Sequence, residues 1–439
     1  ETVSAPRTRP LPTPFLSALL RSIAGGEVGP VEDLSPASEH VTRLAIPAED
    51  SASCAMAGRC VELNGADIVC SDDCVPLPRR PAVVIAAPAN PAPPAATMPP
   101  VIACAPGWTR VASTPPTCAP PAVPARVACP ASEVQWYGAS ICAPIGRPCP
   151  VSGCPEALPA GRPVRWVAPG GGLAPDGTAA FTTIADALLL APASVVIALS
   201  RGTHPGEVAL GPDQALFGAC ARDTEIASIS AARGRIEDLR IAGAVTVRAG
   251  AELQLEGVAL DGRGIDVSGT LVARQIASTA AIGAALRVLG GGDAQVDGLV
   301  IENAGDDALI ATGARLEAAR VVITTAIRGA IQARANATLV LHGAALFGAQ
   351  IGAREGSRLE IADTAVLLDA RRGGSLDGIT VEGSTLAGAR IAIDRPSNIA
   401  LFLVDARADV EDLWLHDLSL IHISEPTRLR RISYAVFCL

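Results

Sequence analysis

A six-residue pattern recurs through the second half of the chain: apolar, any, small or polar (often Asp or Gly), apolar, any, apolar. It reads Ile236-Glu-Asp-Leu239-Arg-Ile241, Leu255-Glu-Gly-Val258-Ala-Leu260 and Val296-Asp-Gly-Leu299-Val-Ile301. It returns as Ala318-Ala-Arg-Val321-Val-Ile323, Leu341-His-Gly-Ala344-Ala-Leu346 and Ile361-Ala-Asp-Thr364-Ala-Val366. Leu376-Asp-Gly-Ile379-Thr-Val381 and Val410-Glu-Asp-Leu413-Trp-Leu415 read as late copies, and a weaker one near Ala273 fills the gap after 255. The starts at 296, 318, 341 and 361 lie 22, 23 and 20 residues apart. Within a copy the side chains alternate with period two, break phase at the third position and resume, as two short strands meeting at a corner require.

A period near 22 residues with two or three short strands per turn suits the coils of a parallel β-helix, each stacked on the one before. Leu255, Val296, Leu341 and Ile361 are then expected in one interior column. Such an interior is narrow, which accounts for a chain that is 49% hydrophobic yet only 3% aromatic. Leucine-rich repeats share the period, but their Asn-bearing signature is absent; propeller blades are about twice as long.

The segment ahead of the repeats carries a start signal. Trp166-Val-Ala-Pro-Gly-Gly-Gly172 leads to Phe181-Thr-Thr-Ile184-Ala-Asp-Ala-Leu188, then Val195-Val-Ile-Ala-Leu-Ser-Arg-Gly-Thr203; Gly218-Ala-Cys220 and Thr224-Glu-Ile226 follow. Thr182 or Thr183 is placed to cap a helix over 184–191 that Pro192 stops. This opening resembles that of right-handed parallel β-helix proteins of the pectate-lyase-like superfamily. The resemblance covers about 250 residues. It implies an all-β, right-handed solenoid whose first coil is closed by a short helix, and it is unspecific for activity, since lyases, hydrolases and adhesins share the fold.

Four segments are expected: a mostly irregular 1–53, with a short amphipathic helix over 16–23; a Cys/Pro-rich 54–163; the β-helix at 164–417; and a tail at 418–439. The Cys-rich part holds one cluster of Cys54, Cys60, Cys70 and Cys74 and a second of Cys104, Cys118, Cys129, Cys142, Cys149 and Cys154, with a Pro/Ala linker between. Cys104-Ala-Pro-Gly-Trp108 and Cys129-Pro-Ala-Ser-Glu-Val-Gln-Trp136 look like two copies of one small loop. Even counts of four and six suit disulfide sets closed within each cluster, with pairing left open. Zinc is disfavoured, since no C-x2-C pair and no His falls between 54 and 154. Disulfides imply periplasm, cell surface or medium. Cys220 is read as a buried small hydrophobe.

Leu418-Ser-Leu-Ile-His-Ile-Ser-Glu-Pro-Thr-Arg428 and Ile432-Ser-Tyr-Ala-Val-Phe-Cys-Leu439 resemble the in-frame translation of a sequencing adaptor, with Leu429-Arg430-Arg431 standing for a variable index. Residues 418–439 are therefore kept out of fold reasoning, and the native C-terminus is expected to be missing. All 35 basic residues are Arg, which together with abundant Ala, Gly and Pro reads as a high-GC bacterial genome. The net charge of −9 argues against nucleic acid as partner, and no apolar run is long enough to span a membrane.

Chemistry is sparse. Glu302-Asn303-Ala-Gly-Asp306-Asp307 is the strongest candidate, because adjacent aspartates on a β-helix coil resemble the acid and base of polygalacturonase-type glycosidases. The Gly-His-Gly and Arg-x-Lys partner motifs of that family are absent. Arg328 lies one coil after Asp306, so a stacked Asp–Arg pair is the simpler account. A lyase would need a calcium-binding carboxylate set, for which only Asp293, Asp306 and Asp307 could be gathered, with Arg328 as base. Sugar grooves use aromatic platforms, and coils 230–400 offer only Phe347. His204, His342 and His416 are read as outward polar residues, and neither Gly170–Gly172 nor Gly290–Gly292 fits a phosphate loop. No cofactor or metal is expected. The reading is a secreted or cell-surface structural and interaction protein presenting a rigid β-helix, with polysaccharide or a cell-surface protein as partner classes. The alternative is a carbohydrate-active enzyme working on one face of the helix.

Overall fold

A computed structural model of the chain describes residues 104, 107–112, 117–189, 191–230, 233–368, 377–396 and 398–416. It also gives the backbone of strands Cys60–Asn64, Asp67–Ser71, Arg431–Ile432 and Ala435–Phe437. The expected helix over 16–23, the side chains of the first Cys cluster and most of 418–439 lie outside the described residues. The chain divides into two compact units, Glu1–Met98 and Pro99–Leu439. In the first, Cys60–Asn64 and Asp67–Ser71 pair antiparallel.

The second unit is a parallel β-solenoid of about ten turns, a single ladder of 25 strands. From 245 onward each coil contributes a short strand, such as Leu309–Thr312, and a long bent one, such as Arg315–Ile323. The register is strict: Leu255, Ala273, Val296, Ala318, Leu341 and Ile361 stand directly above one another. All are buried, so the interior column read from the repeat is present and continuous. One copy was misplaced by periodicity. Ile379-Thr-Val381 belongs to the short-strand stack, whereas the corner of that coil is Gly388-Ala-Arg390-Ile391, with Gly388 paired to Ile361 and Val410. A variable loop displaced the phase; Leu376 lies outside the described residues.

The phase break has a single cause. At the third position of the pattern the backbone enters the left-handed region in nine successive coils: Asp238, Gly257, Gln275, Gly298, Arg320, Gly343, Asp363, Arg390 and Asp412 have φ between 51° and 78°. One such residue turns the strand and leaves one amide out of the ladder without breaking the register on either side. For a side-chain-bearing residue this costs about 1 kcal/mol, and stacking of identical corners offsets the cost.

The N-terminal end is closed as the sequence indicates. Val164–Val167 and Val196–Leu199 are the first ladder strands, and the helix Ile184–Leu189 sits over them with Ile184 and Ala187 buried. Thr183 is the cap: its hydroxyl accepts from the Asp186 N–H at 3.1 Å and donates to the Asp186 carboxylate at 2.7 Å.

Residues 117–160 do not project away from the solenoid; they form a strap laid along it. Outward-facing Ala259, Ala277, Val300 and Val322 occupy equivalent positions in consecutive coils and make an apolar stripe. Val134 and Ile145 of the strap are buried on it, with Trp136 and Tyr137 packed beside them. Two small antiparallel hairpins, Thr109–Val111 with Thr117–Ala119 and Glu133–Val134 with Ala143–Pro144, are each closed by a disulfide, Cys104–Cys118 and Cys129–Cys142. The two loop copies seen in sequence are thus the same disulfide-closed hairpin. Pairing does not stay within the second cluster: Cys149 crosses to Cys220 on the first coils, and Cys154 is free. Cys220 is buried as expected, but as half of a disulfide. Sequence distance hid the pair, since the strap folds back across 71 residues.

The strap needs glycine where it crosses the corners. A Cβ on Gly257 would meet Gly146 Cα at 2.6 Å, and one on Gly343 would meet the Tyr137 ring at 3.1 Å. Gln275, at the same corner of the next coil, already tolerates a side chain. Gly257→Ala should therefore lower stability by about 2 kcal/mol, adding a backbone collision to the left-handed penalty, while Gln275→Gly should change it by less than about 1 kcal/mol. Urea denaturation followed by circular dichroism separates the two; equal losses would mean that strap contact is not what fixes glycine at 257.

Candidate functional site

Two regions bring together polar side chains that the coils could put to use: a buried acidic corner under the strap, and a cleft between strap and solenoid.

At the corner, Glu237 and Asp238 are adjacent in sequence and both buried. Asp238 turns the coil, so the two carboxyls emerge together toward the strap. Arg147 of the strap answers both. Its guanidinium reaches Glu237 Oε2 at 2.7 Å and Asp238 Oδ2 at 3.3 Å, and its backbone N–H donates to Asp238 Oδ1 at 2.8 Å. Arg235 closes on the other Glu237 oxygen. Burial pushes both carboxyls above their ordinary range, against the pull of the two guanidiniums. Nearby, Cys149 Sγ, Cys220 Sγ and an Asp223 carboxylate oxygen lie within 4.8 Å of one another. The sulfurs are bonded to each other, and Asp223 is held by Arg222 and Arg201, with the Arg222 hydrogen bond keeping its pKa low. The arrangement is a fastening.

The pair sets a pH dependence. Raised folded-state pKa values mean that the folded chain retains protons to higher pH than the unfolded one, so stability falls as pH rises out of the carboxylate range. Arg147→Ala should cost about 2 kcal/mol near neutral pH, less than the roughly 3–5 of a fully buried pair because this guanidinium is 44% exposed. The loss should shrink toward about pH 4, where Glu237 and Asp238 take up protons. Melting temperatures across that range test it; a loss independent of pH would show that the carboxyls are not what Arg147 neutralises.

The acids singled out in sequence are spread along the coils and paired. Asp306 meets Arg328 of the next coil at 3.3 Å. Asp307, 3% exposed, is bound by Arg334 at 2.9 Å, and burial holds its carboxyl above the usual range. Asp293 begins the long strand Asp293–Ile301, and no grouping of it with Asp306 and Asp307 within metal-ligating distance occurs among the described residues. Glu302, from the same stretch, bonds Arg126 of the strap at 2.7 Å. His204 corrects expectation: it is 2% exposed, with Nε2 2.9 Å from the Ser200 carbonyl, because the turn after Gly202 folds it inward. His342 is exposed, and His416 pairs through Nδ1 with Asp394 at 2.9 Å.

The cleft, of about 820 Å³, has strap residues 123–128 as one wall. Its floor crosses four coils at one outward position, Thr324, Phe347, Leu367 and Asp394. Gln135, buried within the strap, shapes the wall: its Nε2 donates to the carbonyls of Ala125 at 3.0 Å and Ala139 at 2.8 Å, and its Oε1 accepts from the Val127 N–H at 3.1 Å. Arg126 lies over the Phe347 ring at 5.9 Å while bonding Glu302. Asp394 accepts from Arg395 Nε at 3.0 Å as well as pairing with His416. On the same coil as His416, Trp414 stacks on it, with ring centres 4.8 Å apart and planes 7° from parallel. Periodicity could not find this site, because half of it comes from the strap. The signal available was Trp136-Tyr137, an aromatic pair in an aromatic-poor chain, which indicated a surface in need of cover. Compared with protein-family models, curated proteins and solved structures, the chain matches none of them.

Proposed function

We propose that this chain is a secreted or cell-surface structural and interaction protein of bacterial origin, presenting a right-handed β-helix of the pectate-lyase-like kind as a rigid rod. The observation that carries the reading is the state of its acids. Asp306 and Asp307 are each engaged by an Arg of the following coil, as are Asp266 by Arg287 and Asp297 by Arg320. Carboxylates spent in this way tie coil to coil; general acid or base catalysis needs one within reach of a substrate proton. Three disulfides in one unit support an oxidising compartment outside the cytoplasm. Among the described residues no helix is long and apolar enough to cross a membrane.

The test is an assay of the full chain on acidic and neutral polysaccharides, with and without calcium, beside an Asp306→Asn/Asp307→Asn double variant. The expected result is no release of unsaturated or reducing ends by either protein. Release by the parent that the double variant loses would make the chain a polysaccharide lyase or glycoside hydrolase and overturn the reading.

A further inference from the structure

We propose that the cleft between strap and solenoid binds a short neutral oligosaccharide, with Trp414 and Phe347 taking sugar-ring faces and Arg126, Asp394 and Arg395 taking hydroxyls. The inference rests on the reading of the chain as a binding protein and names its ligand class.

Size comes first. About 820 Å³ is the volume of a small-molecule site. Four coils at a spacing of about 4.8 Å give the floor a length near 14 Å, so the cleft suits a chain of rings lying along the solenoid axis.

The charges then select among ligands. Both guanidiniums at the cleft already have carboxylate partners, Arg126 with Glu302 and Arg395 with Asp394. An anionic ligand would have to compete with those partners. The pairs nonetheless keep hydrogen-bonding capacity: Arg395 bonds Asp394 through Nε, with its side chain 57% exposed and its Nη groups turned to the cleft mouth or solvent. A planar donor fork held beside a carboxylate acceptor matches vicinal hydroxyls, one donating and one accepting. The stacked Trp414–His416 pair, on the coil after Asp394, continues the floor as a flat shelf against which the C–H face of a sugar ring can pack.

A peptide fits less well. Strand addition needs a run of unpaired main-chain groups, but the Val127 N–H and the Ala125 carbonyl are both taken by Gln135, and Pro124 has no N–H to give.

The experiment is a titration of the full chain with neutral gluco-, xylo- and manno-oligosaccharides, with uronate oligosaccharides alongside. Calorimetry and tryptophan fluorescence are the readouts, at low and high salt. Saturable binding of at least one neutral series, unchanged by salt, is expected. Arg395→Ala should weaken it about tenfold, the loss of one charged hydrogen-bonding partner. Trp414→Ala should abolish it and Trp414→Phe should preserve it, each variant keeping the parent melting temperature. Should Trp414→Ala fail to fold, Arg395→Ala at the exposed rim still decides. No neutral binding, a salt-sensitive preference for uronates, or binding indifferent to Arg395→Ala and Trp414→Ala would each overturn the proposal. Reducing-end analysis of the same samples keeps the two readings apart. Binding with product release would uphold the cleft and remove the non-catalytic role; absence of binding would remove the cleft and leave that role standing.

Discussion

Each coil of this protein turns at one residue in the left-handed region, and nine such residues lie in register from Asp238 to Asp412. The constraint is local, but its effect extends along the whole molecule. A corner fixed at one position in each coil forces the residues on either side to face in or out identically from coil to coil. The inward ones become continuous columns such as Leu255–Ala273–Val296, and the outward ones become continuous rows. Parallel pairing alone would let a coil slip; a slip by one residue would carry Leu341 or Ile361 from the interior to solvent. The stacked corners forbid it.

The outward rows have unlike fates. On the short strands they hold cross-coil ion pairs such as Asp266–Arg287, bidentate at 2.7 Å. On the second arm of the long strands, Ala259, Ala277, Val300 and Val322 present an apolar stripe that water would otherwise meet. The strap removes it from water, and Arg147 satisfies the buried Glu237–Asp238 pair in doing so. Cover and cleft have the same origin. Where the strap rises off the stripe, beyond Trp136, the space beneath residues 123–128 opens over Phe347 and Leu367.

Much of the solenoid was legible from residue types. The third pattern position holds Asp, Gly, Gln or Arg because a β-branched residue fits the left-handed region poorly; Thr183 and Asp186 announce the capping helix; Asp306 and Arg328 one coil apart announce their pairing. What was not legible came from contacts between distant segments. No spacing rule joins Cys149 to Cys220, and the inward turn of His204 depends on the fold around Gly202. The copy at 376–381 was misread because the loop before it lengthens the coil, so that the short strand fell where a corner was due. The cleft required knowing on which row of the solenoid the strap lies, and that information resides in shape complementarity at Gly257 and Gly343.

The strap also sets a length. It is fastened at Cys220 and Asp238 at one end, and Tyr137 donates to the Asp363 carbonyl at the other, at 3.2 Å. Between these points the number of coils is fixed, because adding one would shift every landing site beyond it by about 4.8 Å and bring Tyr137 or Trp136 onto a corner that carries a side chain. Beyond Asp363 no such tie exists among the described residues, and the 27 residues separating the corners at 363 and 390 show a coil there already varying in length. The strap is thus a ruler for the first part of the solenoid: lineages of this protein can lengthen or shorten by whole coils downstream of Asp363, while the stretch between Asp238 and Asp363 must be inherited entire.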